Sequence, residues 1–324
     1  MRKLINDPHD VVKEALEGLA AAHPGVLRVS QSPRYVYRAD APVAGKVVLI
    51  SGGGSGHEPM HTGLVGLGML DAACPGEVFT SPTPDQVLAA TRSVYGGNGA
   101  LLIVKNYAGD VMNFEMAADM ARGEWMEVDV VVIDDDVATG QTDSGQGRRG
   151  MATTVLAEKI CGAAAELGMP LHKVASICRK VAGNGRSMGV ALSSCTVPAR
   201  GAPTFDLLPG EMELGIGIHG ERGRRRAELR PAREVVDLLA ESILDDLPFT
   251  AGSRVLAFVN GMGGTPRLEL YIVYRELVRV CRDKGLLIAR NLVGPYVTSL
   301  EMAGCSLTLL QLDDELEHLW DQPV

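Results

Sequence analysis

Lys46-Val-Val-Leu-Ile-Ser-Gly-Gly-Gly-Ser-Gly-His-Glu-Pro59 is the stretch that decides the fold. Its first half is a short apolar run rich in β-branched residues and reads as a buried strand; its second half reads as a glycine-rich turn. A helix over residues 60–70 is expected to follow. The same strand–loop–helix order recurs down the chain. A strand near 77–79 leads into Thr80-Ser-Pro-Thr-Pro-Asp85, a helix start with capping residues and early prolines, and a helix over 87–94. A strand over 100–105 leads into Asn106-Tyr-Ala-Gly-Asp110 and a helix to 122. A strand over 128–133 ends in Asp134-Asp-Asp136. Four such units argue for an α/β sheet that is at least partly parallel. In these sheets a ligand sits beyond the carboxyl ends of the strands. The loops 52–59, 80–85, 106–110 and 134–149 are therefore expected to converge on one edge.

Outward from this core, residues 10–22 read as an amphipathic helix with Val11, Ala15, Leu16, Leu19 and Ala20 on one face, and 26–37 as a strand pair. Helices are expected over 151–167 and 171–181, with a boundary in Ala182-Gly-Asn-Gly-Arg186. Strands follow at 190–197, 213–218, 254–260, 286–291 and 306–312, with helices at 232–244 and 267–284. The expected class is α/β in two domains. The first, 1–183, has a mixed or parallel sheet and carries the glycine-rich loop. The second, 184–324, is α/β or α+β and carries His219, and its last segment packs back on the first.

Composition narrows the function. Of 324 residues, 46% are hydrophobic and 22% charged, which fits a globular protein with a core and excludes disorder and coiled coil. Aromatics at 4% leave little for stacking on nucleic acid, and a net charge of −9 gives no general attraction to nucleic acid or anionic membrane. The longest apolar runs are strand-sized, and the start of the chain turns polar after two apolar residues, so neither a membrane span nor a signal peptide is expected. The six scattered cysteines form no C-x-x-C, so neither a disulfide framework nor a zinc site is expected, and a reducing cytoplasm is the expected compartment.

Several residues carry candidate chemistry. The glycines of 52–56 need a reason for their entropic cost, either close backbone approach to a ligand or a tight structural turn. The stretch is neither a Walker A loop nor a dinucleotide fingerprint. His57 is a donor, a base or a structural histidine. His61, four residues on, makes an i,i+4 metal pair conceivable, but a third ligand is lacking and no metal is expected. Asp110 is either a functional carboxylate or the helix N-cap. Lys105, at the end of an apolar strand, must reach an anion or an acceptor. His219 is expected at the end of an apolar strand between glycines, as base, ligand or nucleophile. Asp134–Asp136 either bind Mg²⁺ or pair with Arg148 and Arg149, and the run 222–226 reads as a solvated loop.

The order and spacing of these motifs, with Arg38-Ala-Asp-Ala-Pro-Val-Ala-Gly-Lys46, Cys74-Pro-Gly-Glu, Phe79-Thr-Ser-Pro-Thr-Pro-Asp85, Lys105-Asn-Tyr, Val132-Ile-Asp-Asp-Asp-Val-Ala138, Gly147-Arg-Arg-Gly150 and Gly217-Ile-His-Gly-Glu221, closely resemble the dihydroxyacetone kinase K-subunit family over essentially the whole chain. The resemblance implies a two-domain α/β homodimer. It implies that His219 adds to the ketone carbon of dihydroxyacetone as a hemiaminal, which an alcohol such as glycerol cannot form. It implies Asp110 as general base, His57 as a second active-site histidine, and Gly54, Ser81 and Lys105 in the substrate pocket. Nucleotide and Mg²⁺ are expected on a separate L subunit and no cofactor on this chain, with an M-type phosphocarrier in the phosphotransferase-system version. A ketone-sensing coactivator without catalysis, and a kinase subunit for a tetrulose such as erythrulose, are the alternatives. Arg222 stands where the family loop usually has proline.

Overall fold

Alternation along the apolar runs builds the first sheet. The computed structural model describes residues 3–140 and 147–324, so part of the expected loop at 134–149 lies outside the described residues. Helix α1 (Val11–Ala22) buries Val12 and Leu16, while Ala15 is exposed, so the buried stripe is rotated from the expected one. Strands β1 (Leu27–Gln31) and β2 (Arg34–Arg38) pair antiparallel, as the sequence suggests. They are followed by β3 (Val48–Ser55), β4 (Ala72–Val78), α2 (Pro84–Val94), β5 (Ala100–Lys105), α3 (Ala108–Gly123), β6 (Val128–Ile133), α4 (Thr153–Glu166) and α5 (Leu171–Asn184). The sheet order is β1-β2-β4-β3-β5-β6, with β4, β3, β5 and β6 mutually parallel. Val48, Ile50, Ala100, Leu102 and Val104 join one buried cluster with Val87, Val94, Phe114 and Ala118 of α2 and α3. The alternate residues Leu49, Leu101, Ile103 and Lys105 are also buried, so both faces of the central strands are covered. The chain leaves β3 toward β4 on one side and returns to β5 on the other. The carboxyl end of β3 is thus a topological switch point, where ligands of open α/β sheets bind.

Two expectations fail beside that point. The glycines 52–54 lie inside β3 instead of forming a turn after it. A Cβ on Gly52 would lie 2.4 Å from the Cys74 carbonyl oxygen, and one on Gly54 would lie 2.6 Å from the Thr80 nitrogen. Only a strand without side chains lets β4 and the 79–80 turn approach so closely. The helix expected over 60–70 is absent; a single 3-10 turn at Thr62–Leu64 replaces it. Gly63, Gly66 and Gly68 fall within six positions, and Gly68 has φ +70°, so a helix there would be costly. The strand near 77–79 is β4, beginning at Ala72. Pro75 and Gly76 hid it, because both are depleted in strands.

Gly52→Ala is expected to destabilise the chain by about 1–3 kcal/mol, because its neighbours are backbone and cannot yield. Gly18→Ala in α1, with nothing within 4 Å, is expected to raise stability by up to about 1 kcal/mol. Thermal melts of the two variants check both signs.

The second sheet is mostly antiparallel. Strand β7 (Gly185–Ala191) starts directly where α5 ends, so the expected boundary at 182–186 is a helix–strand junction and not a linker. Then come β8 (Glu211–Leu214), β9 (Arg225–Glu228), α6 (Ala232–Asp246), β10 (Arg254–Gly261), α7 (Arg267–Asp283), β11 (Leu287–Gly294), β12 (Gly304–Leu312) and α8 (Asp314–Trp320). The order is β11-β10-β12-β7-β8-β9, with only β10 and β11 parallel. Val236, Leu239 and Ile243 of α6 and Leu270 and Leu277 of α7 pack on Val255, Ala257, Val259, Leu307 and Leu309. Of the run 222–226 read as a solvated loop, Arg225 and Arg226 lie in edge strand β9, where Arg226 pairs with Glu213 across the ladder at 3.0 Å.

The chain divides into two units. The first holds Met1–Ile133, Thr154–Lys180 and His318–Val324; the second holds Asp134–Thr153 and Val181–Glu317. The grouping departs from a single cut at 183/184 in placing 134–153 and 181–183 in the second unit, with 318–324 grouped in the first. All six cysteines are buried and free. Among the described residues no helix is long and apolar enough to cross a membrane.

Candidate active site

In the first unit, five strand and helix termini meet at the switch point. Lys105 ends β5 and is fully buried, continuing the Leu101–Ile103 row. Its ammonium reaches the Gly52 carbonyl oxygen at 3.0 Å and His61 Nε2 at 2.6 Å, and Asp110 Oδ2 lies 3.9 Å away. Burial lowers the pKa of Lys105, while the charges of Asp110 and Glu158 oppose that fall. The space over Gly53 is what admits the lysine head: a Cβ there would stand 2.4 Å from Nζ.

Asp110 lies in the first turn of α3, whose N-cap is Tyr107, so the reading of Asp110 as the cap is wrong. Its Oδ1 accepts a hydrogen bond from Ser81 Oγ, and the carboxylate is almost wholly buried. Ser81 stands just ahead of α2. Pro84 opens that helix, and Gln86 holds it to β4 by donating from Nε2 to the Pro75 carbonyl oxygen at 2.8 Å. Gly54 packs on the Phe79–Thr80 backbone. His57 is buried and stacks on Phe79, with ring centroids 5.2 Å apart and planes at 16°. Residues 57–61 are not helical, so the i,i+4 spacing of His57 and His61 does not form a metal pair. Among the described residues no group of three or more His, Cys, Asp or Glu could hold a metal ion.

His219 belongs to the second unit. The expected strand over 213–218 stops at Leu214, and His219 lies in the turn that follows. Gly215 and Gly220 have φ +79° and +81°, values that open the turn to glycine. The turn closes through Gly217 N to Glu221 O at 3.1 Å and Arg224 N to Leu214 O at 2.8 Å. His219 Nδ1 and Glu221 Oε1 are 2.7 Å apart, and the His219 backbone nitrogen donates to Glu221 Oε2 at 2.9 Å. Burial works against the Glu221 carboxylate. The hydrogen bond and charge of His219 and the charge of Arg149 outweigh it and hold the pKa down to about 2. Glu221 therefore accepts from the hydrogen on Nδ1, and in the ring tautomer that this contact selects the lone pair lies on Nε2.

Asp135 and Asp136 serve the backbone of this unit. Asp135 accepts from Met151 N and Thr153 N at 2.6 and 2.9 Å, and Asp136 pairs with Arg149 at 2.6 Å. Arg148 reaches Asp246 at 2.6 Å, and its charge also acts on the half-buried Asp134. Arg224 is turned inward, donating to the Val137 and Ala138 carbonyl oxygens, whereas Arg222 and Arg225 line a cleft of about 580 Å³ with Thr204 and Gly220.

Sequence reasoning missed Glu158 and left Glu221 without a role. Glu158 had a signal, being the one acidic residue in the otherwise apolar stretch Val155–Ala165 apart from its neighbour Lys159.

The Dak1 domain model matches residues 17–324. The chain is 50% identical to the "PEP-dependent dihydroxyacetone kinase, dihydroxyacetone-binding subunit DhaK" of Escherichia coli, covering 100% of this chain and 98% of that protein. Among solved structures it is similar to the dihydroxyacetone kinase of C. freundii at 38% identity and a TM-score of 0.86, covering 98% of this chain and 58% of that one. It is similar also to a dihydroxyacetone kinase operon co-activator, Dha-DhaQ, at 32% identity and a TM-score of 0.90, covering 96% of this chain and 95% of that one. A two-sheet α/β chain matched from residue 17 to its last residue by the family model, and at half identity along its whole length by a kinase subunit, belongs to the Dak1 family.

Proposed function

We propose that this chain is the ketose-binding subunit of a dihydroxyacetone kinase, a phosphotransferase with an alcohol acceptor. The observation that carries the reading is the Glu221–His219 pair, which puts the imidazole lone pair on Nε2. That nitrogen adds to the ketone carbon. The alkoxide takes up a proton and the ring gives up its Nδ1 proton beside Glu221, so the hemiaminal forms without net gain or loss. Asp110 accepts the proton of the terminal hydroxyl as that oxygen attacks phosphorus. Ser81, Lys105 and the backbone at Gly54 hold substrate oxygens, and His57 acts as the second histidine of the site.

The phosphoryl group comes from a nucleotide with Mg²⁺ on a separate L-type subunit, recharged by an M-type phosphocarrier where phosphoenolpyruvate is the donor. The working form is a cytoplasmic homodimer. The reading as a ketone sensor is supported by the similarity to the co-activator, but a sensor has no use for a base, and the Ser81–Asp110–Lys105 set favours the kinase.

A reconstituted assay with the L-type subunit, offering dihydroxyacetone and erythrulose and each donor system in turn, tests the function. Turnover of dihydroxyacetone is expected only with the partner present. Phosphorylation by the lone chain with ATP–Mg²⁺ would overturn the division of labour, and ketose binding without any turnover would favour the sensor.

A further inference from the structure

Behind Lys105 lies a line of buried groups that the proposed mechanism does not use. His61 Nε2 is 2.6 Å from Lys105 Nζ, and His61 Nδ1 is 2.5 Å from Glu158 Oε1 on α4. Lys105, His61 and Glu158 are almost wholly buried, and Glu158 sits on α4 among the buried Val155, Leu156, Ala157 and Cys161. A carboxylate there is costly unless it is partnered. The His61 ring is neutral, since burial and then the charges of Lys105 and His57 push its pKa far down.

A neutral ring held at both nitrogens permits two arrangements. In one, the Lys105 ammonium donates to Nε2 and Nδ1–H donates to the Glu158 carboxylate. In the other, protonated Glu158 donates to Nδ1 and Nε2–H donates to the neutral Lys105 amine. They differ by one proton moving from Nζ to Nε2 and one from Nδ1 to Oε1. No proton is gained or lost.

We propose that His61 and Glu158 are positioning residues that act through Lys105: the pair fixes the lysine head at the Gly52 carbonyl and sets whether Asp110 faces an ammonium or a neutral amine. Burial pushes Lys105 down and Glu158 up to about 8, with the Lys105 charge opposing the rise of Glu158. These opposite displacements narrow the gap between the two arrangements. With the proton on Lys105, the Asp110 carboxylate faces a cation 3.9 Å away; with the proton passed to Glu158, it faces a neutral amine. The other titratable groups facing this line are His57 in the 56–61 turn, Cys161 on α4 and, beyond it, Cys178 on α5. The Cys161 thiol is held protonated by burial and by its neighbours Cys178 and Glu158.

The inference rests on the kinase reading for its effect on rate, but its first test does not. Lysine side chains labelled with ¹³C at Cε are titrated by NMR in the full chain, with Lys105 assigned through Lys105→Arg. Glu158→Gln keeps an acceptor for Nδ1–H but can neither carry the charge nor take the proton. The Lys105 midpoint is expected to fall by about one pH unit or more, and the basic limb of kcat/KM with the L-type subunit to fall with it. Glu158→Asp, which keeps the charge, is expected to restore both. If Glu158→Gln does not fold, His61→Asn, too short to bridge both partners, is read instead and should move the midpoint in the same direction. A midpoint unchanged in the folded variant would show the line to be packing alone and overturn the proposal. Wild-type chain that titrates as described but never phosphorylates a ketose would instead sink the kinase reading and leave this line intact.

Discussion

His219→Ala is expected to abolish covalent attachment of dihydroxyacetone, seen as loss of the mass adduct after borohydride trapping or of continuous density from ring to ligand. Affinity should fall at least about tenfold, or about 1.4 kcal/mol. The fold should survive, because the turn that carries His219 is closed by backbone hydrogen bonds. Glu221 keeps the backbone nitrogen of residue 219 as a donor. The loss should be larger for discrimination than for binding. Hydroxyls of dihydroxyacetone and glycerol are nearly alike, so without carbonyl capture the variant should separate the two poorly. Unchanged tight, ketone-selective binding would remove His219 from the role of anchor.

Asp110→Asn is expected to cost turnover and spare binding. The amide keeps the carboxylate's shape and can still accept from Ser81, but cannot take a proton. A positioned general base contributes about 10²–10⁴-fold, so kcat with the L-type subunit should drop by that factor while the ketose dissociation constant changes little. The alternative role suggested by the sequence, helix capping, makes the opposite prediction of lower stability and normal rate. With Tyr107 at the cap position, that alternative has already lost its geometric basis. Near-normal turnover by the variant would leave Asp110 as a ligand of Ser81 and a neighbour of Lys105, and would move the search for the base elsewhere.

Much of this was legible from residues in order. Apolar runs of strand length at 46–51, 100–105 and 128–133, each followed by polar loops and amphipathic helices, define a parallel α/β core, because hydrophobic periodicity and chain length are local properties. The position of the candidate site follows from the same pattern, since the carboxyl ends of such strands face one edge. Family motifs spread over the whole chain singled out His219, Asp110, Lys105, Ser81, His57 and Gly54 before any coordinates.

Other features depended on neighbours distant in sequence. Glycines 52–54 look like a turn by propensity, and only the closeness of Cys74 and Thr80 shows that they are a strand. The stretch Arg225–Glu228 looks solvated by charge, and only its ladder with β8 and the Glu213 partner make it an edge strand. The reading of His61 is the sharpest case. Four residues from His57, it suggested a metal pair, but it is held between Lys105, 44 residues away, and Glu158, 97 residues away. Local spacing determines which elements form. Burial and pairing of charge depend on which elements tertiary packing brings together, and for this chain that packing gave Lys105, His61 and Glu158 their partners.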